Sequence, residues 1–311
     1  FEFCMLKSLP FLSEKFRKAV ENSAKAAFPL FGKNKKNEAD QLAVDAMRFS
    51  LSSLEFAVRI VLGEGEKDDA PMLYEGEVLG KGEVLYDLAV DPLECTSNFA
   101  KGLYNSLSVL AFSEKDGIRP VPGTYMEQWI AGPRMKSAFK PYSPLTENIN
   151  SLAENLGKSN DELRIVVQDR PRHDKLIKEL RELGCSVCLI DSGSVTAVLD
   201  ICLEKGMYDA LIGTFGAPEG LISAVIAKIT HSEMKGILRP HDEAFKKRAE
   251  DHGFKEEKVL DKNEWVPGEK IGFLASCLSP NHFMKGLKVD HHIISGETLV
   301  LYENHSSVEG F

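Results

Sequence analysis

The sequence predicts an α/β protein, an α+β first half followed by an α/β second half, and three observations carry that prediction. Apolar residues recur at helical spacing in two N-terminal segments. Short apolar runs of strand length end repeatedly in acidic or Gly-containing turns, and beyond about residue 155 strand and helix patterns alternate strictly. The chain has 311 residues, 43% hydrophobic and 27% charged, enough to bury a core in one large or two medium domains.

Taken in order, Phe16, Val20, Ala24 and Ala27 give residues 13–30 an apolar helical face, and Val44, Met47, Leu51 and Leu54 do the same from Asn37 to Leu54. Strand-like runs follow at Phe56 to Leu62, Val84 to Val90 and Ser106 to Phe112, read as antiparallel. The alternating part begins with strand Arg164 to Gln168, helix His173 to Leu183 stopped by Gly184, and strand Cys185 to Ile190. A helix capped by Ser194 and ending at Gly206, strand Ala210 to Ile212, and a helix opened by Pro218 follow, the last with Leu221, Val225 and Ile229 on its apolar face. This pattern predicts a mixed or parallel sheet. The polar stretch around Glu147 to Asn160 is read as the boundary between an α+β domain, 1–155, and an α/β domain, 156–311.

Lys plus Arg total 38 against 47 Asp plus Glu, a net charge of −9 that gives no basic footprint for nucleic acid or an anionic membrane. No run of about 18 apolar residues is present, and FEFCMLKSLP lacks a signal-peptide layout, so a cytoplasmic protein is expected, with Met5 as a native start after Phe1 to Cys4. Six cysteines are too sparse for a disulfide framework, so reduced thiols are expected. Cys185 and Cys188 have CxxC spacing, but in a strand they face opposite sides, with no second pair or nearby His, which argues against zinc or redox chemistry.

The informative residues are carboxylates past strand ends or at helix starts, where side chains converge on a crevice: Asp40, Glu64, Asp91, Glu94 and Glu219. Asp40, placed in the first turn of the second helix, and Glu219 also suit helix caps, and Glu64 with Glu66 also suits a solvated turn. Asp91 ends an apolar strand with a charge, which is costly without a partner such as a divalent cation. Oxygen-only donors favour Mg²⁺ or Mn²⁺, and two such ions activate water for phosphoester hydrolysis. Thr96 is placed to position that water if Asp40 accepts its hydroxyl proton. In the second half Arg170-Pro171-Arg172-His173 offers two guanidiniums at a helix start, an anion site or a solvated turn, with His173 read as a helix-start residue.

Four motifs, Gly63 to Tyr74 (GEGEKDDAPMLY), Ala89 to Thr96 (AVDPLECT), Arg170 to Asp174 (RPRHD) and Gly216 to Gly220 (GAPEG), together resemble class II fructose-1,6-bisphosphatase, of the lithium-sensitive, inositol-monophosphatase-like sugar phosphatases. The resemblance runs from about Lys15 to Val300. It implies a layered αβαβα fold, Mn²⁺ or Mg²⁺ in two or three sites, removal of the 1-phosphate of fructose 1,6-bisphosphate in gluconeogenesis, and a homodimer or homotetramer. It also implies that Asp40, Glu64, Asp91, Glu94 and Glu219 are metal ligands, that Thr96, Asp68 and Asp40 are catalytic, and that Lys36, Glu94, Cys95, Thr96, Tyr125, Arg170, Pro171, Arg172, Ser192, Gly193, Ser194 and Gly216 meet the substrate.

The chain departs from the family at several places. Cys95 replaces a glycine, Ser192-Gly193-Ser194 replaces Asp-Gly-Asp, and Gln128 stands where a Lys near the distal phosphate is common. Ala275 to Ser279 (ASCLS) replaces Ala-Thr-Gly-Ile-Thr. These changes keep two alternatives open: a phosphatase acting on sedoheptulose 1,7-bisphosphate or another sugar or inositol phosphate, and a non-catalytic sugar-phosphate-binding paralogue.

Overall fold

The computed structural model describes residues 7–64, 73–137, 139–255 and 257–311. Along the chain the helices are α1 (Leu9–Ala27), α2 (Lys36–Ser52), α3 (Thr96–Lys101), α4 (Leu145–Leu156), α5 (Asp174–Glu182), α6 (Ser194–Cys202), α7 (Ala217–Ile229), α8 (Glu243–Asp251) and α9 (Lys262–Trp265). The strands are β1 (Ala57–Leu62), β2 (Val78–Leu79), β3 (Val84–Glu94), β4 (Leu107–Glu114), β5 (Tyr125–Ala131), β6 (Arg164–Gln168), β7 (Ser186–Ile190) and β8 (Ala210–Gly216). They continue with β9 (Glu233–Arg239), β10 (Leu260–Asp261), β11 (Gly272–Cys277), β12 (Lys288–Asp290), β13 (Ile293–Ser295), β14 (Glu297–Tyr302) and β15 (His305–Gly310). Among the described residues no helix is long and apolar enough to cross a membrane.

Element identities follow the sequence patterns, with shifted ends. α1 starts at Leu9 because Ser8 is extended at the N-cap and Pro10 falls in the first turn, where its missing N–H is harmless. It passes into a 3-10 turn at Phe28–Leu30, where Pro29 cannot donate. Gly184, with φ of 93°, ends α5 as expected. Ser194, by contrast, is the first helical residue of α6 and Gly193 is the N-cap, and the helix stops at Cys202 rather than Gly206.

The chain forms two compact units, Phe1–Pro120 with Pro267–Phe311, and Val121–Val266. In the first unit the strand order is β15-β14-β11-β4-β3-β1-β2. β1 and β3 are parallel, which corrects the antiparallel expectation, whereas β4, β11, β14 and β15 pair antiparallel. Phe16 and Val20 of α1, with Met47 and Leu51 of α2, share a buried cluster with Ile60 and Leu88. Each such side chain contributes roughly 1.5–3 kcal/mol by leaving water. Arg59 on β1 and its register partner Asp87 on β3 form a two-bond ion pair at 2.8 and 2.9 Å, with Asp87 wholly buried.

In the second unit the order is β10-β9-β5-β8-β6-β7, with β6 parallel to β7 and β8 and with β5 antiparallel to β8 and β9. This is the mixed sheet the alternation predicts. Alternate residues of β5 serve different helices: Trp129 and Ala131 join Leu152 of α4 and Leu180 of α5, while Met126 and Gln128 lie against Gly220 of α7.

The units divide at 120/121 and 266/267, not near 155. The polar stretch read as the boundary is largely the outer face of α4, whose Ile149, Leu152 and Ala153 are buried in the second unit's core. Among the described residues the cysteines form no disulfide, and Cys185 immediately precedes β7, which holds Cys188. Met5 and Cys4 lie outside the described residues. His291 and His292 form the exposed turn between β12 and β13.

Candidate active site

In the first unit the parallel register sets Leu62 beside Ala89, which carries Glu64 and Asp91 to the same end of the sheet. β3 then continues through Pro92 because its pairing with β4 shifts between Asp91 and Glu94, and an irregular register tolerates a residue without an N–H. Asp91 Oδ1 accepts the Leu93 N–H at 3.1 Å. The wholly buried Ser23 hydroxyl of α1 lies 2.9 Å from Ala43 O and 3.0 Å from Pro92 O, linking α1, α2 and the irregular stretch. Nothing in the sequence marks Ser23, because a serine in a row of small helical residues carries no motif.

Glu94 ends β3 and is only 5% exposed. Cys95 follows with φ 65° and ψ 39°, a left-handed conformation that costs a residue with a Cβ about 1–2 kcal/mol. The turn therefore demands what the family's glycine supplies freely. The Thr96 hydroxyl donates to Leu93 O at 2.8 Å, a tether to the backbone of the same turn.

Asp40 lies past the first turn of α2, because the helix begins at Lys36, and Glu38 takes the first-turn position, paired with Lys35 at 2.8 Å. Ala39 and Ala43, flanking Asp40, share a buried cluster with Leu93 and Phe99, which sets this part of α2 against the turn from β3 into α3. Lys36 Nζ donates to Ser97 Oγ across the same junction at 3.4 Å. Asp68 and Glu66 lie outside the described residues.

In the second unit the parallel directions of β6, β7 and β8 put their C-terminal ends at one edge, and antiparallel β5 starts there with Tyr125 opposite Gly216. Arg170 donates to Asp169 O at 2.7 Å and to Asp191 O at 2.8 Å, which ties it to the segment leading into Ser192, Gly193 and Ser194. Arg172 donates to Thr214 O at 3.0 Å and Gln168 Oε1 at 2.6 Å, and its guanidinium lies over the Tyr125 ring at 4.9 Å. Pro171 starts the short turn between them. The Arg-Pro-Arg segment is thus a tethered pair of cations, not a loose solvated turn.

His173 is 3% exposed and pins this turn to β8. Its Nδ1 lies 2.7 Å from Gln168 O, and Nε2 accepts the Thr214 N–H at 2.8 Å, so the neutral ring with hydrogen on Nδ1 satisfies both partners. Burial is the main cause that pushes its pKa below 6.5, and the Arg172 and Arg170 charges add to it. A base with a depressed folded pKa stabilises fully above its unfolded value and loses that contribution as pH falls below about 6.5. His173→Phe is expected to cost about 2 kcal/mol at neutral pH by stranding two backbone groups. Urea titrations at pH 7.5 and pH 5 should show the difference between wild type and variant shrinking at the lower pH.

Glu219 is the third residue of α7 and folds back on Gly216, where an added Cβ would stand 1.9 Å from Glu219 Oε2. Gly216 has φ of −62°, so alanine fits the backbone and only the Glu219 carboxylate must give way. Gly216→Ala is therefore expected to lower catalysis roughly tenfold with an unchanged melting temperature, measured by phosphate release and calorimetry. Gln128 is wholly buried and donates to Gly216 O at 3.2 Å.

Among the described residues no three His, Cys, Asp or Glu side chains stand close enough together to hold a metal ion. The first unit does offer oxygen donors of the kind hard divalent cations take: Glu64, Asp91 and the nearly buried Glu94 at one sheet end.

Residues 11–309 match the family described as bacterial fructose-1,6-bisphosphatase, glpX-encoded. A Synechococcus elongatus protein named D-fructose 1,6-bisphosphatase class 2/sedoheptulose 1,7-bisphosphatase is 38% identical over 295 residues, 86% of each chain. An Escherichia coli protein named fructose-1,6-bisphosphatase 1 class 2 is 35% identical over 304 residues, 93% of this chain and 90% of the other. A crystal structure of CysQ from Bacteroides thetaiotaomicron, described as a bacterial member of the inositol monophosphatase family, is 16% identical with a TM-score of 0.43, covering 72% of this chain and 88% of the other. With a match across nearly its whole length and relatives above 30% identity, this chain belongs to the bacterial class 2 fructose-1,6-bisphosphatase family.

Proposed function

We propose that this protein hydrolyses the 1-phosphate of fructose 1,6-bisphosphate to fructose 6-phosphate and inorganic phosphate, as a divalent-metal-dependent enzyme of gluconeogenesis. The observation that carries the reading is the placement of Glu64, Asp91 and Glu94 at one end of the β1–β3 sheet in a chain of this family. Asp40, Glu64, Asp91, Glu94 and Glu219 are the residues that would hold two or three Mg²⁺ or Mn²⁺ ions, which when bound supply Lewis-acid polarisation and a water of lowered pKa.

Thr96, its proton committed to Leu93 O, keeps oxygen lone pairs with which to accept from and orient a water. Arg170 and Arg172 bring two guanidiniums to the second unit's sheet edge beside Tyr125, a donor set suited to phosphate. Lys36, Cys95, Pro171, Ser192, Gly193, Ser194 and Gly216 complete the substrate side of the reading, and Asp68 its catalytic side. The reading places the enzyme in the cytoplasm as a homodimer or homotetramer.

Sedoheptulose 1,7-bisphosphate is a second substrate favoured by a specific observation: a relative is named for both activities, and Ser192 and Ser194 are shorter and neutral where the family has aspartates. Phosphate release would be measured from both bisphosphates, fructose 6-phosphate and inositol phosphate, with Mn²⁺, Mg²⁺ or EDTA. Metal-dependent turnover selective for fructose 1,6-bisphosphate is the expected result. Silence on every substrate, with metal bound, would overturn the reading in favour of a sugar-phosphate-binding protein.

A further inference from the structure

The second unit's sheet edge contains an aromatic residue that neither the motifs nor the resemblance singles out. β9 pairs antiparallel with β5, Arg239 opposite Tyr125, so His241, two residues beyond β9, arrives where β5 begins. Its ring packs nearly edge-to-face on Tyr125, with centroids 5.8 Å apart at 68°. Nδ1 lies 3.1 Å from Thr124 Oγ1, and the ring meets Phe245 at 4.3 Å. Phe245 is itself fixed, because its N–H donates to Asp242, the N-cap of α8. Arg172 lies over the Tyr125 ring at 4.9 Å. Among the described residues the Tyr125 hydroxyl has no hydrogen-bond partner, and the side chain is 39% exposed, so its donor is available to a ligand.

We infer that His241 is a positioning residue that fixes the Tyr125 ring, so that the phenol and the Arg172 guanidinium present a preformed donor and cation to a phosphate of the sugar bisphosphate. The inference rests on the sugar-bisphosphatase reading of this edge. An exposed tyrosine otherwise samples several rotamers, and holding it in one by ring packing removes an ordering cost from binding. The effect belongs to substrate affinity, because His241 is argued to reach the ligand only through Tyr125.

The test has two arms: calorimetric titration of fructose 1,6-bisphosphate in EDTA, and steady-state kinetics with Mn²⁺. His241→Ala is expected to weaken binding and raise KM roughly fivefold, with a smaller change in kcat. His241→Phe, which keeps the ring packing, should restore most of the affinity. His241→Asn, which keeps a polar atom beside Thr124 but no ring, should behave as alanine and serves in its place should alanine not fold. In a Tyr125→Ala background the His241→Ala effect should vanish.

Affinity within twofold of wild type for both His241→Ala and His241→Asn, or additive losses in the double variant, would overturn the inference. Wild-type binding without turnover would overturn the catalytic reading and leave this inference to the calorimetric arm. Absence of wild-type binding would overturn both.

Discussion

Glu94→Gln is expected to lower metal-dependent phosphate release by at least about a hundredfold while leaving the chain folded. The substitution keeps the shape of a side chain that is only 5% exposed at the end of β3, and removes its charge. A buried carboxylate is tolerated where cationic partners offset its desolvation, so losing the charge should cost little stability in EDTA. Metal should then separate the two proteins. A ligand that binds only the folded state stabilises it by RT ln(1 + [L]/Kd), so millimolar Mn²⁺ should raise the wild-type melting temperature and leave that of Glu94→Gln almost unmoved. Equal Mn²⁺ shifts in both proteins, with equal turnover, would remove Glu94 from the site.

Gly63→Ala is expected to destabilise the first unit by about 3 kcal/mol or more. A Cβ there would stand 2.0 Å from Leu73 O. That carbonyl cannot retreat cheaply, because Leu73 is fully buried and its N–H donates to Glu77 at 2.6 Å. Glu77 is held by Arg48 at 2.7 Å, and the Ile60 N–H donates to its carbonyl at 2.9 Å. The added methyl therefore meets backbone locked to β1 and α2, next to Glu64. Urea unfolding should show the loss, and activity should fall with it. A variant within 1 kcal/mol of wild type would mean that this junction is softer than its hydrogen bonds imply.

The second unit was largely legible because each βα step carries its own punctuation: Gly184 ends α5, Pro218 falls in the first turn of α7, and strand Arg164–Gln168 has the expected bounds. The parallel pairing of β1 with β3 was not, since relative direction is decided by where the intervening chain travels and leaves no trace in either strand's composition. The same holds for β11, which pairs with β4 far away in sequence. Candidate site residues were found through charge placed at strand ends, which is why Glu64, Asp91 and Glu94 were visible. Ser23 and His241 act through a buried hydroxyl and a ring edge, features that acquire meaning only when neighbours are known. The Thr96 tether to Leu93 O shows the same limit, since sequence proposes a reactive group but not the acceptor of its proton.

The discontinuity of the first unit bears on how the protein is made. Its sheet takes β1 to β4 from residues that precede the second unit, but β11, β14 and β15 come from residues translated after it. The second unit, one uninterrupted segment, is fully synthesised first. During that interval β4, buried along nearly its whole length in the finished sheet, has no strand beside Leu107–Phe112 on its β11 side. Slow translation through residues 121–266 would prolong this sticky nascent state, so production yield should respond to chaperone supply and to C-terminal truncation more sharply than the stability of the mature enzyme suggests.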